Sequence, residues 1–227
     1  MENLSTTEEN YIKTIYHLQQ SESNVGTNEV AVKLNTKAAS VTDMLKRLNT
    51  KQVLNYEKYK GFSLSEDGQK IALRIVRKHR LWEFFLVEKL NFGWDEVHTI
   101  AEELEHISSD LLVERLDSFL GHPKFDPHGD PIPDSNGKIE RQPQINLVDL
   151  PIGSTAKVSA VGSQSSELLE LLTHKNIAIG TSISVKRKFS FDNSLEIEIN
   201  ATTPFTISRE LALALFVKIA TDNQTHG

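Results

Sequence analysis

Val53-Leu54-Asn55-Tyr56-Glu57-Lys58-Tyr59-Lys60-Gly61-Phe62-Ser63-Leu64 alternates in polarity on both sides of a Lys-Tyr-Lys-Gly tip. That pattern reads as a two-stranded antiparallel ribbon. What stands before it decides what kind of ribbon it is. Gly26-Thr27-Asn28 can start a short helix carrying Val30, Ala31, Val32 and Leu34, and Asn35-Thr36-Lys37 breaks it. A further helix over 38–49 has Val41, Leu45 and Leu48 as its apolar stripe. Two short helices, a tight turn and a ribbon make a winged helix-turn-helix. Upstream, Ser5-Thr6-Thr7-Glu8-Glu9 is a capping sequence for a first helix over 6–21, with Tyr11, Ile12, Ile15, Tyr16 and Leu18 on its apolar face.

Charge supports a polyanionic partner. Residues 26–80 hold twelve Lys and Arg against five Asp and Glu, a local excess of +7 in a chain whose net charge is −6. In the winged-helix reading the third helix enters the major groove. Its outward positions are Lys37, Ala39, Ser40, Thr42, Asp43 and Lys46. Ser40 and Thr42 can bond base edges or phosphates, and Ala39 can meet a thymine methyl. Thr27, Lys58, Tyr59 and Lys60 would reach phosphates, which position the protein without specifying sequence. The competing reading is a helical subdomain with a solvated basic face.

After the ribbon, Ser65-Glu66-Asp67-Gly68 begins a long helix over 68–90. Its second half, with Leu81, Trp82, Phe84, Phe85, Leu86, Val87 and Leu90, is apolar around most of its circumference, which predicts burial on more than one side and a homodimer. Then comes His98-Thr99-Ile100-Ala101-Glu102-Glu103-Leu104-Glu105-His106. On a helix, His98, Glu102, Glu105 and His106 share a face. His79 and Glu83 form another i,i+4 pair on the long helix. Imidazole with carboxylate suits a borderline-to-hard divalent cation; the alternative is a solvated acidic face. Ser108-Ser109-Asp110 caps one more helix over 111–120.

Residues 121–141 hold four prolines and three glycines and read as a loop. His122 and His128 lie in it; either imidazole could ligate a metal, and the reading does not rely on them. From about Ile145 short β-like runs take over, at 156–161, 182–189 and 194–199, interrupted by a helix over 165–173 and closed by a helix over 208–220. Closely spaced strands with turns between them predict a small β-barrel. The chain has no cysteine, which excludes disulfides, thiolate metal sites and a thiol nucleophile and fits a reducing cytoplasm. No window approaches the roughly 18 apolar residues of a membrane span.

Several of these stretches, in register over more than a hundred residues, resemble the metal-dependent repressors of the diphtheria toxin repressor / manganese transport regulator family. Thr6-Thr7-Glu8 with Tyr11 and Thr14-Ile15-Tyr16 looks like the family's first helix, and Ser40-Val41-Thr42 with Arg47 its recognition helix. Arg77-Lys78-His79-Arg80-Leu81 with Glu83 resembles the start of its dimerisation region. His98, Glu105-His106, Ser109-Asp110 and Gly129-Asp130-Pro131-Ile132-Pro133 follow in order. The resemblance implies an α+β multidomain protein: a winged helix-turn-helix over 1–70, a helical metal-binding and dimerisation domain over 71–140, and an SH3-like (FeoA-like) small β-barrel over 141–227.

By position, the resemblance also implies two neighbouring metal sites. One uses His79, Glu83 and His98, supplemented from the SH3-like domain by Gln164 and Glu167. The other uses Glu102, Glu105, His106 and Asn10 from the first helix. Iron-responsive members place sulfur ligands where this chain has Asn10 and Glu102. Oxygen there shifts preference toward Mn²⁺ over Fe²⁺. Lys13 stands where manganese-responsive members have a further carboxylate. The function implied is a cytoplasmic, homodimeric transcriptional regulator, a repressor by resemblance, that binds palindromic double-stranded DNA when charged with Mn²⁺ or Fe²⁺. Two other readings stay open. One is a winged-helix regulator answering a small organic ligand. The other is a di-iron carboxylate enzyme, which wants two Glu-x-x-His motifs where this chain has one, Glu103-Leu104-Glu105-His106.

Overall fold

Ser5 caps the first helix as its sequence predicts. In the computed structural model, which describes residues 4–20, 24–57 and 61–219, the Ser5 hydroxyl accepts from the Glu8 amide (3.3 Å). The Glu8 carboxylate in turn accepts from the Ser5 amide (2.8 Å). Helix α1 (Thr6–Leu18) is followed by α2 (Thr27–Lys33) and α3 (Ala38–Thr50). The turn between α2 and α3 is made by Asn35 at φ +47°, a left-handed position that asparagine tolerates. Strands β1 (Leu54–Glu57) and β2 (Gly61–Leu64) pair antiparallel, Leu54 opposite Leu64 and Tyr56 opposite Phe62, so the wing exists as read.

The chain divides into two compact units, and helices α4 (Glu66–Leu90) and α5 (Val97–Leu104) contribute residues to each. The first unit comprises residues 1–82, 101–119 and 132–139. Its core joins Ile12 and Ile15 of α1, Val30 of α2, Val41, Leu45 and Leu48 of α3, Leu54 and Leu64 of the wing, and Ala72, Ile75 and Val76 of α4. Burying such side chains contributes roughly 1.5–3 kcal/mol each. Helix α6 (Asp110–Phe119) is tied to α4 through Arg77, which bonds Asp117 (3.0 Å) and donates to the Pro133 carbonyl (2.8 Å).

The second unit comprises residues 83–100, 120–131 and 140–227. Strands β3 (Ile145–Asn146), β4 (Thr155–Val161), β5 (Ser182–Lys188), β6 (Leu195–Ile199), β7 (Phe205–Ile207) and β8 (Leu215–Ile219) form one antiparallel sheet in the order β3-β8-β4-β5-β6-β7. Register shifts in β4 (Val158 to Ala160) and β5 (Val185 to Arg187) bend it, as bulges do, around a core that includes Leu147, Leu169 and Leu172 of α7 (Ser166–His174), Ile183 and Val217.

One expectation for this unit is corrected. The closing helix over 208–220 is instead a short helix α8 (Arg209–Leu213) and then β8. Leu215 and Val217 alternate inward, opposite Val161 and Val158 of β4, so tertiary pairing overrides a run that also fits a helical period. Strands β3 and β7, of two and three residues, were too short to read. Among the described residues no helix is long and apolar enough to cross a membrane.

Candidate metal centre

Helix α5 ends at Leu104, yet the Glu105 amide still donates to the Ala101 carbonyl (2.8 Å), so the helical course continues past the end of α5 by about half a turn. That keeps Glu102, Glu105 and His106 together, as their spacing predicts. Facing them are side chains of α1. The His106 Nδ1 lies 2.6 Å from Glu9 Oε2, and the ammonium of Lys13 lies 2.7 Å from Glu105 Oε1 and 3.4 Å from Glu102 Oε1. Glu9 and Lys13 are one turn apart on one face of α1. Asn10, next to Glu9 in sequence, is half-buried. The α1 side chain that meets the histidine is therefore Glu9, the neighbour of the residue that alignment by position selects.

Glu105 is fully buried and takes a second imidazole, His79 Nδ1 at 2.6 Å. Burial works to raise its pKa, but the His79 hydrogen bond and the Lys13 charge outweigh that and hold the carboxyl below its ordinary value. A histidine that gives Nδ1–H to a carboxylate keeps Nε2 as a lone-pair donor, the arrangement that metal-ligating histidines use. His106 is held in the same way, and its Nε2 faces Glu105 Oε1 at 3.8 Å.

A second group of donors gathers at Glu83. His98 Nδ1 is 3.3 Å from Glu83 Oε1. His128 and Asp126, from the proline-rich loop, also reach Glu83: with it they form a fully buried trio whose donor atoms lie within 4.8 Å of one another. The ring of His128 is oriented by its Nε2, 2.7 Å from the Trp94 carbonyl, and Trp94 stacks on it at 6.0 Å between centroids. A carbonyl can only accept, so Nε2 carries the proton. The Nδ1 atom, buried and with no hydrogen-bond partner, points at Glu83 Oε2 (3.7 Å) and Asp126 Oδ1 (4.0 Å). Burial acts to lower the His128 pKa, but Glu83, Asp126 and the Trp94 carbonyl together raise it. A buried imidazole nitrogen aimed at two carboxylates is a donor set a dication fits.

Sequence reasoning set His128 aside and did not single out Asp126. A loop has no periodicity to place a side chain, and the only available signal was the short spacing of Asp126, His128 and the Gly129 turn. Gly129 has φ +87°, and a Cβ there would stand 2.0 Å from the Ser159 carbonyl oxygen, so only glycine lets this loop lie against β4. Gln164 donates to Asp130 Oδ2 (3.1 Å), and Glu167 is exposed in the first turn of α7.

On the DNA-reading side, Lys37, Ala39, Ser40, Asp43 and Lys46 are exposed on and before α3, and Thr27 is half-buried at the start of α2. Thr42 is half-buried and its hydroxyl donates to the Ala38 carbonyl (3.0 Å), which leaves the oxygen lone pairs as its outward function. Lys58, Tyr59 and Lys60 lie outside the described residues. Glu8 fixes α3 to α1: its buried carboxylate meets Arg47 (2.9 Å) and Lys51 (2.9 Å).

Comparison with known proteins agrees with both halves of this picture. Residues 3–62 match the model of the iron dependent repressor N-terminal DNA binding domain. Residues 65–134 match the iron dependent repressor metal binding and dimerisation domain, and residues 145–219 the FeoA domain. The iron-dependent repressor IdeR of Mycobacterium tuberculosis is 31% identical over 168 residues, 70% of this chain and 72% of that protein. The diphtheria toxin repressor of Corynebacterium glutamicum is 27% identical over 198 residues, 82% of this chain and 86% of that protein. Among solved structures, a manganese-dependent transcriptional repressor in complex with manganese aligns with a TM-score of 0.83 at 30% identity, over 93% of this chain and 99% of that one. The repressor ScaR with bound Cd²⁺ aligns at 0.78 and 29%, over the same shares of the two chains.

Proposed function

Because the chain belongs to the iron-dependent repressor family of metal-dependent, DNA-binding transcriptional repressors, which are not enzymes, we propose that it is a cytoplasmic, homodimeric sensor of Mn²⁺, with Fe²⁺ the second choice, and that metal sets its affinity for a palindromic operator. In this reading Glu102, Glu105 and His106 hold one ion together with Glu9 or Asn10 of α1. His79 and Glu83, one turn apart on α4, hold a second with His98. The remaining donors to the second ion come either from Asp126 and His128 or from Gln164 and Glu167; the buried trio at Glu83 favours the former. The choice of Mn²⁺ follows from donors that are carboxylate, imidazole and amide with no sulfur.

The single observation that carries the proposal is the meeting of α1 with the end of α5, Glu9 against His106 at 2.6 Å. When bound, the metal supplies a dication for which these side chains are shared ligands. The residues do the rest. Helix α1 packs with α3 in one core, so side chains of α1 drawn to the end of α5 also fix the direction of α3. In a dimer, two such fixed helices stand at one spacing and match half-sites one helical turn apart. Moving a population from mostly incompetent to mostly competent takes about 5 kcal/mol of differential binding, within reach of two ions per subunit.

The test is fluorescence anisotropy of a duplex that the protein itself selects from a random pool in Mn²⁺. Wild type is expected to bind at least 100-fold more tightly in Mn²⁺ than in EDTA, and His106→Ala to lose most of that ratio. Equal affinity in both conditions would remove the metal-switch reading.

A further inference from the structure

Lys13 is the one residue on the α1 face whose chemistry opposes a metal ion, and it sits where the ion's ligands are. Its ammonium contacts both oxygens of Glu105, at 2.7 and 2.8 Å, and stands 3.4 Å from Glu102. The Lys13 side chain is 11% exposed and that of Glu105 is fully buried, so water does not share this pairing. We propose that Lys13 is a built-in counter-cation: it closes the Glu105 fork in the metal-free protein and must be expelled for a dication to bind, which sets the metal threshold of the switch. The inference rests on the reading of Glu102, Glu105 and His106 as metal ligands.

The geometry makes the two cations exclusive. A carboxylate oxygen binds a first-row dication at roughly 2.0–2.2 Å. An ammonium hydrogen-bonded to Glu105 Oε2 and 2.7 Å from Oε1 stands where an ion bound by that carboxylate would lie, and its positive charge would lie within a few ångströms of the ion in a low-dielectric site. The exit is also present. Glu102 is 49% exposed and lies beside the ammonium, so a lysine leaving Glu105 can follow Glu102 to solvent on its flexible stem.

The arrangement has two consequences. Without metal, Lys13 neutralises part of the charge of Glu102 and Glu105 and holds the Glu105 carboxylate. With metal, part of the binding energy is spent on releasing Lys13, so the apparent affinity is weaker than the donor set alone would give.

Isothermal titration of Mn²⁺ into the full-length dimer tests this on wild type, Lys13→Gln, Lys13→Arg and His106→Ala. Lys13→Gln is expected to bind Mn²⁺ at least ten-fold more tightly than wild type and to melt at lower temperature without metal, while Lys13→Arg stays close to wild type. A second readout uses wild type alone and does not depend on any variant folding. The rate at which an N-hydroxysuccinimide ester acylates Lys13, followed by mass spectrometry, should rise several-fold when Mn²⁺ replaces EDTA. Saturable Mn²⁺ uptake by wild type, combined with unchanged or weaker affinity in Lys13→Gln or with Lys13 acylation indifferent to Mn²⁺, would overturn this inference and leave the metal-sensor reading standing. No saturable uptake by wild type would overturn both.

Discussion

Replacing Glu8 by glutamine removes the anion that both Arg47 and Lys51 address but leaves an amide oxygen able to accept from the Ser5 amide in the capping box that starts α1. Burial acts to raise the pKa of this carboxyl, but the Ser5 amide, Lys51 and Arg47 together hold it below its ordinary value of 4.5. The sign of the pH effect follows from that direction. A carboxyl whose folded pKa is depressed contributes stability that is present above 4.5 and is lost as pH falls through the lower folded value. Glu8→Gln is therefore expected to cost roughly 2 kcal/mol at neutral pH. That figure lies below the cost of breaking a fully buried pair, because the Arg47 side chain is 59% exposed and its share is screened. The variant should also melt with a flatter acid limb between about pH 5 and pH 3. Thermal denaturation of wild type and variant across that range checks both, and an unchanged acid limb would mean that other carboxyls govern it.

Among the elements, those with a period were legible and those without one were not. The wing was readable because Leu54, Tyr56, Phe62 and Leu64 alternate, and their pairing in register follows from that alternation. The grouping of Glu102, Glu105 and His106 was readable because these residues repeat at helical intervals, and they face α1 together, whereas His98 on the same helix turns to Glu83. The loop over 121–131 offered no such rule. Asp126 and His128 come to Glu83 through backbone bonds that no spacing announces: the Asp126 amide donates to the Asp130 carbonyl (3.0 Å) and the Val161 amide to the His128 carbonyl (3.0 Å). The last strand was misread because Leu211, Leu213, Leu215 and Val217 satisfy two periods, and pairing with β4 chose between them. The loop yields a prediction at this scale. Gly129→Ala would place a methyl 2.0 Å from the Ser159 carbonyl oxygen at a φ of +87°, a strain of roughly 2 kcal/mol and hence a fall in melting temperature of about 5 °C. The loop would lift from β4 and carry His128 with it. Calorimetric titration should then show loss of the Glu83-linked class of Mn²⁺ sites, with the α1-linked class retained; two intact classes of site would mean that the loop donates no ligand.

At the scale of the whole molecule, the stretch that matches a dimerisation domain says that two copies meet. The apolar surface left uncovered on this chain gives a specific answer to test. On α6, Leu112 is 42% exposed and Phe119 66% exposed, and seven residues of separation puts them on one face. Both belong to the stretch that matches the metal binding and dimerisation domain, residues 65–134. Large exposed apolar side chains grouped on one helix mark an association surface more often than a solvated one. If two copies pack through this face, a charge introduced on it meets its own symmetry mate, because a two-fold interface places the same patch on both sides. Leu112→Asp with Phe119→Asp should sediment as a monomer at micromolar concentration, keep its melting transition, and lose at least 100-fold in operator affinity in saturating Mn²⁺. Metal uptake at the end of α5 should persist, because Glu9, Glu102, Glu105 and His106 all come from one chain. A variant that stays dimeric would move the interface off α6, whereas a monomer that keeps full operator affinity would break the link between pairing and DNA recognition on which the palindromic reading depends.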